Sequence, residues 1–161
     1  MQITEPVTML TDYALAAATL FFTISTYNGM HSKNRVTGLL LLLGFLFEAI
    51  SAFLGGTFHG FAADLQGTTR KALWDLTMLT IGATLAFLAA GVHAAHVQRE
   101  NGKWILSAVI IAVVGVGIQF TGFRTRQIFN HNDMFHIITL AAMCLFFKGS
   151  RTLQDRAYSP R

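Results

Sequence analysis

Apolar residues gather along the chain into five runs separated by short polar links. The runs are Met9 to Tyr27, Val36 to Phe58, Ala72 to Val97, Trp104 to Phe123, and a fifth that starts between Phe129 and Met134 and ends at Lys148-Gly149. Each is close to the ~20 residues that carry an α-helix across ~30 Å of hydrocarbon. The links hold turn formers and charges: Asn28-Gly29, His31 to Arg35, Asp64 to Lys71, Gln98 to Lys103 and Arg124 to Asn130. Pro6 and Pro160 stand at the two ends, so no predicted helix interior is interrupted. Tyr13, Tyr27, Trp74 and Trp104 fall near the ends of runs, where interfacial aromatics belong. The pattern predicts an all-α, polytopic transmembrane bundle of about five spanning helices, with residues 1–161 forming a single integral-membrane domain.

Five crossings would put the termini on opposite sides, and the basic residues indicate which side is which. The side of the N-terminus and of the links 59–71 and 124–130 holds Arg70, Lys71, Arg124 and Arg126. The other side holds Lys33, Arg35, Arg99, Lys103, Lys148, Arg151, Arg156 and Arg161, a split of four against eight. The positive-inside rule then predicts a cytoplasmic C-terminus and an N-terminus outside. Lys33 is the first basic residue, so the first run lacks the positive leader of a cleaved signal peptide. With short links as well, the expected location is a bacterial inner membrane.

Composition sharpens this picture. Hydrophobic residues make up 53% and charged residues 12% of the chain, against ~25% charged in a typical soluble domain. That excludes a soluble fold with a polar surface and leaves little chain for a separate catalytic domain. The net charge of +4 flanks the apolar runs instead of forming a patch, which argues against nucleic acid. Cys144 is the lone cysteine, so neither an intramolecular disulfide nor a thiolate metal cluster can form.

Polar side chains within a span are costly and need a reason. At ~100° per residue, Asp12, Ala16, Thr19, Thr23 and Thr26 share one face of the first helix. Glu48, Ser51, Gly55 and His59 line up on the second, and Asp75, Gly82, Ala86, Ala89 and His93 on the third. Ala108, Gly115, Gln119 and Gly122 do so on the fourth, and Asn132, Asp133 and His136 group on the fifth. Such stripes are expected to face the bundle interior. Threading the chain back and forth brings Asp12, His59, Asp75, His131, Asn132, Asp133 and His136 to similar depth near the non-cytoplasmic face. His31, His93 and His96 fall on the opposite side.

Imidazoles and carboxylates from separate helices are what a zinc ion needs: three protein ligands, with a fourth position for water. The bound water becomes a hydroxide near neutral pH, and a nearby carboxylate can orient it. His59 and His136 are the best ligand pair here, with Asp75 as third ligand or water-orienting acid. His131 lies ~140° around the helix from His136 and is the weaker choice.

Three segments carry a resemblance. Gly55-Gly56-Thr57-Phe58-His59 closes one span, Arg70-Lys71-Ala72-Leu73-Trp74-Asp75 opens the next, and Asn132-Asp133-Met134-Phe135-His136 opens the last. Together they resemble the superfamily of alkaline ceramidases, progestin-and-adipoQ receptors and hemolysin III proteins. That superfamily carries Ser-x-x-x-His, Asp and His-x-x-x-His motifs that hold zinc and, in the enzymes, hydrolyse lipid amides. The resemblance implies zinc at His59 and His136, with Asp75 as the catalytic acid. Gly55 replaces its serine and Asn132 its first histidine, so Asp133 or His131 would complete the metal set.

Three classes of function follow. One is an intramembrane zinc hydrolase of lipid amides or esters. Another is a non-catalytic accessory subunit of a larger membrane complex or a homo-oligomer, its polar stripes serving packing. The third is a small transporter or channel whose Asp12, Glu48 and Asp75 line a path, with Ser51 as a further polar residue along it. Membrane lipids are the surroundings in every case.

Overall fold

The computed structural model describes residues 3–30, 35–97, 102–121 and 130–158. Five helices follow the five apolar runs: α1 (Pro6–Asn28), α2 (Arg35–Phe61), α3 (Gly67–Val97), α4 (Gly102–Thr121) and α5 (His131–Tyr158). Pro6 sits in the first turn of α1, where its missing N–H costs nothing. Gly29 closes that helix, its N–H bonded to the Ser25 carbonyl at 3.2 Å.

The last helix differs most from expectation, because it continues through Lys148-Gly149 to Tyr158. One glycine costs a helix only ~1 kcal/mol, and no proline follows before Pro160. Gly149 and Ser150 are buried, and the Ser150 hydroxyl donates to the Phe147 carbonyl at 2.8 Å.

The helices stand in the order α3, α2, α1, α5, α4, with α3 and α4 barely touching. Residue pairings fix the directions. Tyr13 meets Gly56 and Phe22 meets Phe45, so α1 and α2 are antiparallel. Thr8 meets Asp133 and Phe22 meets Phe147, so α1 and α5 run parallel. The core joins all five helices through Leu15, Phe22, Leu41, Phe45, Ala52, Leu88, Ala108, Met143 and Phe146. At its centre the Phe22 and Phe147 rings stack at 4.5 Å. Gly44 and Gly91 lie against Leu88 and Leu41, bringing α2 and α3 together without room for a larger side chain.

Four helical segments, Pro6–Asn28, Arg35–Phe61, Gly67–Ala94 and His131–Arg151, are long and apolar enough to cross a membrane. The 20 residues of α4 span ~30 Å at 1.5 Å each. Large apolar side chains such as Leu10, Leu79, Leu85 and Val113 point outward, as they should toward lipid. The chain is thus an all-α, multi-pass membrane protein. Lys33, Arg99, Arg124, Arg126 and Arg161, which help set the expected sidedness, lie outside the described residues, as do the side chains of Arg156, Lys103 and His96.

Of the five expected polar faces, those of α1 and α2 point inward, Ala108 and Gly115 of α4 and Asp133 of α5 are buried, and that of α3 is turned out; Gly122 and the Gln119 side chain lie outside the described residues. Asp12, Thr19, Thr23 and Thr26 of α1 are buried, as are Glu48, Ser51 and Gly55 of α2. On α3 the expected stripe is turned out: Asp75, Gly82, Ala86, Ala89 and His93 are all exposed. Its buried face is Thr77, Thr80, Thr84, Leu88 and Gly91. The threonines donate to the carbonyls of Leu73, Leu76 and Thr80, which satisfies their hydroxyls within the helix. They therefore pack as small, nearly apolar residues.

Candidate functional site

The polar residues converge where the start of α1 meets the end of α2 and the start of α5. Asn130 caps α5, its Oδ1 accepting from the N–H groups of Asn132 and Asp133 at 2.8 and 3.2 Å. Asp133 reaches back to accept from the Asn130 N–H at 2.8 Å, completing a reciprocal capping box. The other Asp133 oxygen accepts from the Thr8 hydroxyl at 2.8 Å, tying this cap to α1. Residues 4 and 5 strap the end of α2, with Thr4 N–H on the Gly60 carbonyl and Glu5 N–H on the His59 carbonyl, both at 3.1 Å.

Two acid–histidine pairs occupy this junction. Glu5 Oε2 lies 3.1 Å from His59 Nδ1, and Asp12 Oδ1 lies 3.1 Å from His136 Nε2. The two imidazole rings are 6.5 Å apart, centroid to centroid. Side-chain exposure falls along the series: 40% at Glu5, 14% at His59, 12% at His136 and 4% at Asp12. Thr11 Oγ1 stands 3.2 Å from the second ring nitrogen of His136. The other Asp12 oxygen, Oδ2, is buried with no hydrogen-bond partner among the described residues. It is aimed at Gly55, where a Cβ would sit 3.4 Å away.

Beyond Asp12 the polar character continues inward. Asp12 is within electrostatic reach of Glu48, Asp133 and Glu5. Glu48 is buried beside Thr84 of α3. One turn away, Ser51 donates to the Thr77 carbonyl at 3.4 Å. On the α1 side, Thr19 and Thr23 donate to the Leu15 and Thr19 carbonyls. Thr26 and Thr37 are buried farther along the same interface.

The expected site residues therefore separate. Asp12, His59, Asp133 and His136 come together, with Asn132 and His131 half-buried beside them in the first turn of α5. Asp75 does not join them. It is exposed on the outer surface of α3 and pairs with Lys71, one turn before it. Glu5, Thr8, Thr11, Thr84 and Asn130 belong to the polar system although the stripes did not single them out. The Asn130-x-x-Asp133 spacing was a readable capping signal, whereas nothing in the spacing pairs Thr8 with α5.

The donors do not fit a zinc ion. Both Asp133 oxygens are used by Thr8 and the Asn130 N–H. His136 faces Thr11 and Asp12, and His59 turns Nδ1 to Glu5. Among the described residues no three His, Cys, Asp or Glu converge to hold a metal. Zinc needs at least three protein ligands, more than these described residues bring together.

No curated protein and no solved structure matches the chain. A family model does, over residues 7–100 and again over 86–155, which takes in Asp12, His59, Asp133 and His136. The chain belongs to DUF6962, a family of unknown function.

Proposed function

We propose that this protein is a small transporter or channel that passes protons along the α1–α2 interface of its bundle. The carrying observation is the series Glu5, His59, His136 and Asp12, whose exposure falls step by step from the bundle end inward, with Glu48 buried beyond it. Ionisable side chains inside a membrane bundle mark ion and proton paths. Acid–imidazole contacts are the groups that exchange protons near neutral pH. The interface is close-packed, with Gly56 against Tyr13 and Gly60 against Met9. Such packing suits a proton better than a hydrated ion. The split of Lys and Arg favours an arrangement in which Glu5 and His59 face outward from a bacterial inner membrane and the C-terminus is cytoplasmic. A reporter fused after Arg161 checks this and reads cytoplasmic.

The test is proton uptake by liposomes containing the purified protein and an internal pH dye, driven by a potassium diffusion potential. Wild-type uptake exceeds that of protein-free liposomes, Asp12→Asn and Glu48→Gln abolish the excess, and Asp75→Asn retains it. Wild-type uptake equal to protein-free liposomes would falsify the reading. A second reading, a subunit of a larger assembly, is favoured by the outer face of α3, where Gly82 has nothing within 4 Å of its Cβ position. Co-purification with other polypeptides at fixed ratio, lost on Gly82→Leu, supports that reading.

A further inference from the structure

The Thr11 hydroxyl stands between two partners. It donates to the Thr8 carbonyl at 2.9 Å, and its oxygen lies 3.2 Å from His136 Nδ1. A hydroxyl has one proton to give and lone pairs with which to accept. With that proton committed to Thr8, Thr11 turns a lone pair toward His136, and a protonated Nδ1 completes the contact. A neutral imidazole carries one N–H, and the hydrogen bond made by one nitrogen decides which nitrogen holds it. Placed on Nδ1, the proton leaves Nε2 as an acceptor for the Oδ1–H of a protonated Asp12 carboxyl, 3.1 Å away.

We infer that Thr11 is a positioning residue: its hydroxyl holds the neutral His136 ring as the Nδ1–H tautomer and so turns an accepting Nε2 toward Asp12. The role this gives Thr11 rests on the proton-path reading, because an accepting nitrogen beside a buried carboxyl is what a transfer between them requires. Thr8 extends the arrangement. Its carbonyl takes the Thr11 proton while its own hydroxyl donates to Asp133, so the cap of α5 and the tautomer of His136 share one anchor.

Nitrogen-15 magnetic resonance of histidine-labelled protein in lipid bilayers reads the tautomer directly, with His136→Gln assigning the signal. In the wild type, His136 carries its proton on Nδ1. Thr11→Val removes the acceptor with little change in shape and lowers the Nδ1–H to Nε2–H ratio by about fivefold, the effect of one hydrogen bond. Thr11→Ser keeps the hydroxyl and restores the ratio, and His59 is unaffected by either substitution. Liposome proton uptake falls in Thr11→Val and recovers in Thr11→Ser. A wild-type proton on Nε2, or a ratio unmoved by Thr11→Val, overturns the inference. A shifted ratio in a protein whose wild type takes up no protons supports the tautomer assignment and sinks the proton path instead.

Discussion

Two of the acid–base pairs among the described residues have opposite settings. Asp12 meets His136 between α1 and α5, with side-chain exposures of 4% and 12%. Asp75 meets Lys71 along the outside of α3, with exposures of 56% and 78%. The difference lies in the neighbours. The Asp12 pair joins helices in the middle of the row, with Gly55 leaving room beside the carboxyl. The Asp75 pair lies within one helix at the edge of the row, one turn apart. A buried pair is expensive to break because the surviving partner stays desolvated, while an exposed pair contributes little.

The largest expected effect is therefore at Asp12. Asp12→Ala lowers unfolding free energy by about 2–3 kcal/mol, because the neutral His136 ring is left buried without its partner; this is measured by titration with a denaturing detergent, whereas Asp75→Ala changes it by at most about 1 kcal/mol. Equal losses at the two positions would erase the distinction. The two faces of α3 give the next test. Gly91→Val drives a side chain into Leu41 and costs about 1–3 kcal/mol. Gly82→Val meets nothing within 4 Å and leaves stability near wild type. A melting-temperature loss at Gly82 as large as at Gly91 would mean that another helix covers the outer face.

Smaller still is the cap. Asn130→Ala removes two acceptor contacts at the start of α5 and costs about 1 kcal/mol, read as faster amide exchange in the first turn. Unchanged exchange there would show that Asp133 and Thr8 hold the turn without Asn130. Last comes Lys71→Ala, with a change of under about 0.5 kcal/mol, since helix-surface pairs one turn apart contribute only a few tenths. Coupling above 1 kcal/mol between Lys71 and Asp75 in a double-mutant cycle would place this pair out of solvent.

The five helices were legible because a membrane-crossing segment must be long, apolar and proline-free, and such runs can be read residue by residue. The inward faces of α1 and α2 were legible for the same reason, since Asp12 and Glu48 have nowhere else to go. On α3 the stripe of Asp75, Gly82 and His93 has helical spacing but lies outside, because Lys71 supplies Asp75 with a partner along its own helix. Its threonines, which satisfy themselves on backbone carbonyls, form the packed face that hydropathy alone does not single out. At the junction, sequence reading brought together His59, His136, Asp133 and Asp12. It did not pair Glu5 with His59 or Asp12 with His136, because partner choice depends on which helices become neighbours. The parallel contact of α1 with α5 leaves no mark in either segment.

That contact has a consequence for the order in which the protein is made. Thr8 and Asp133, like Thr11 and His136, are 125 residues apart, yet they touch. At roughly 5–20 residues per second of synthesis, Asp12 is made some 6–25 s before His136. During that interval the first helix carries a carboxyl without its partner, and α2 is the neighbour available to shelter it. The strap from Thr4 and Glu5 to the end of α2 uses only the first two helices, so nothing in it has to wait for the last one.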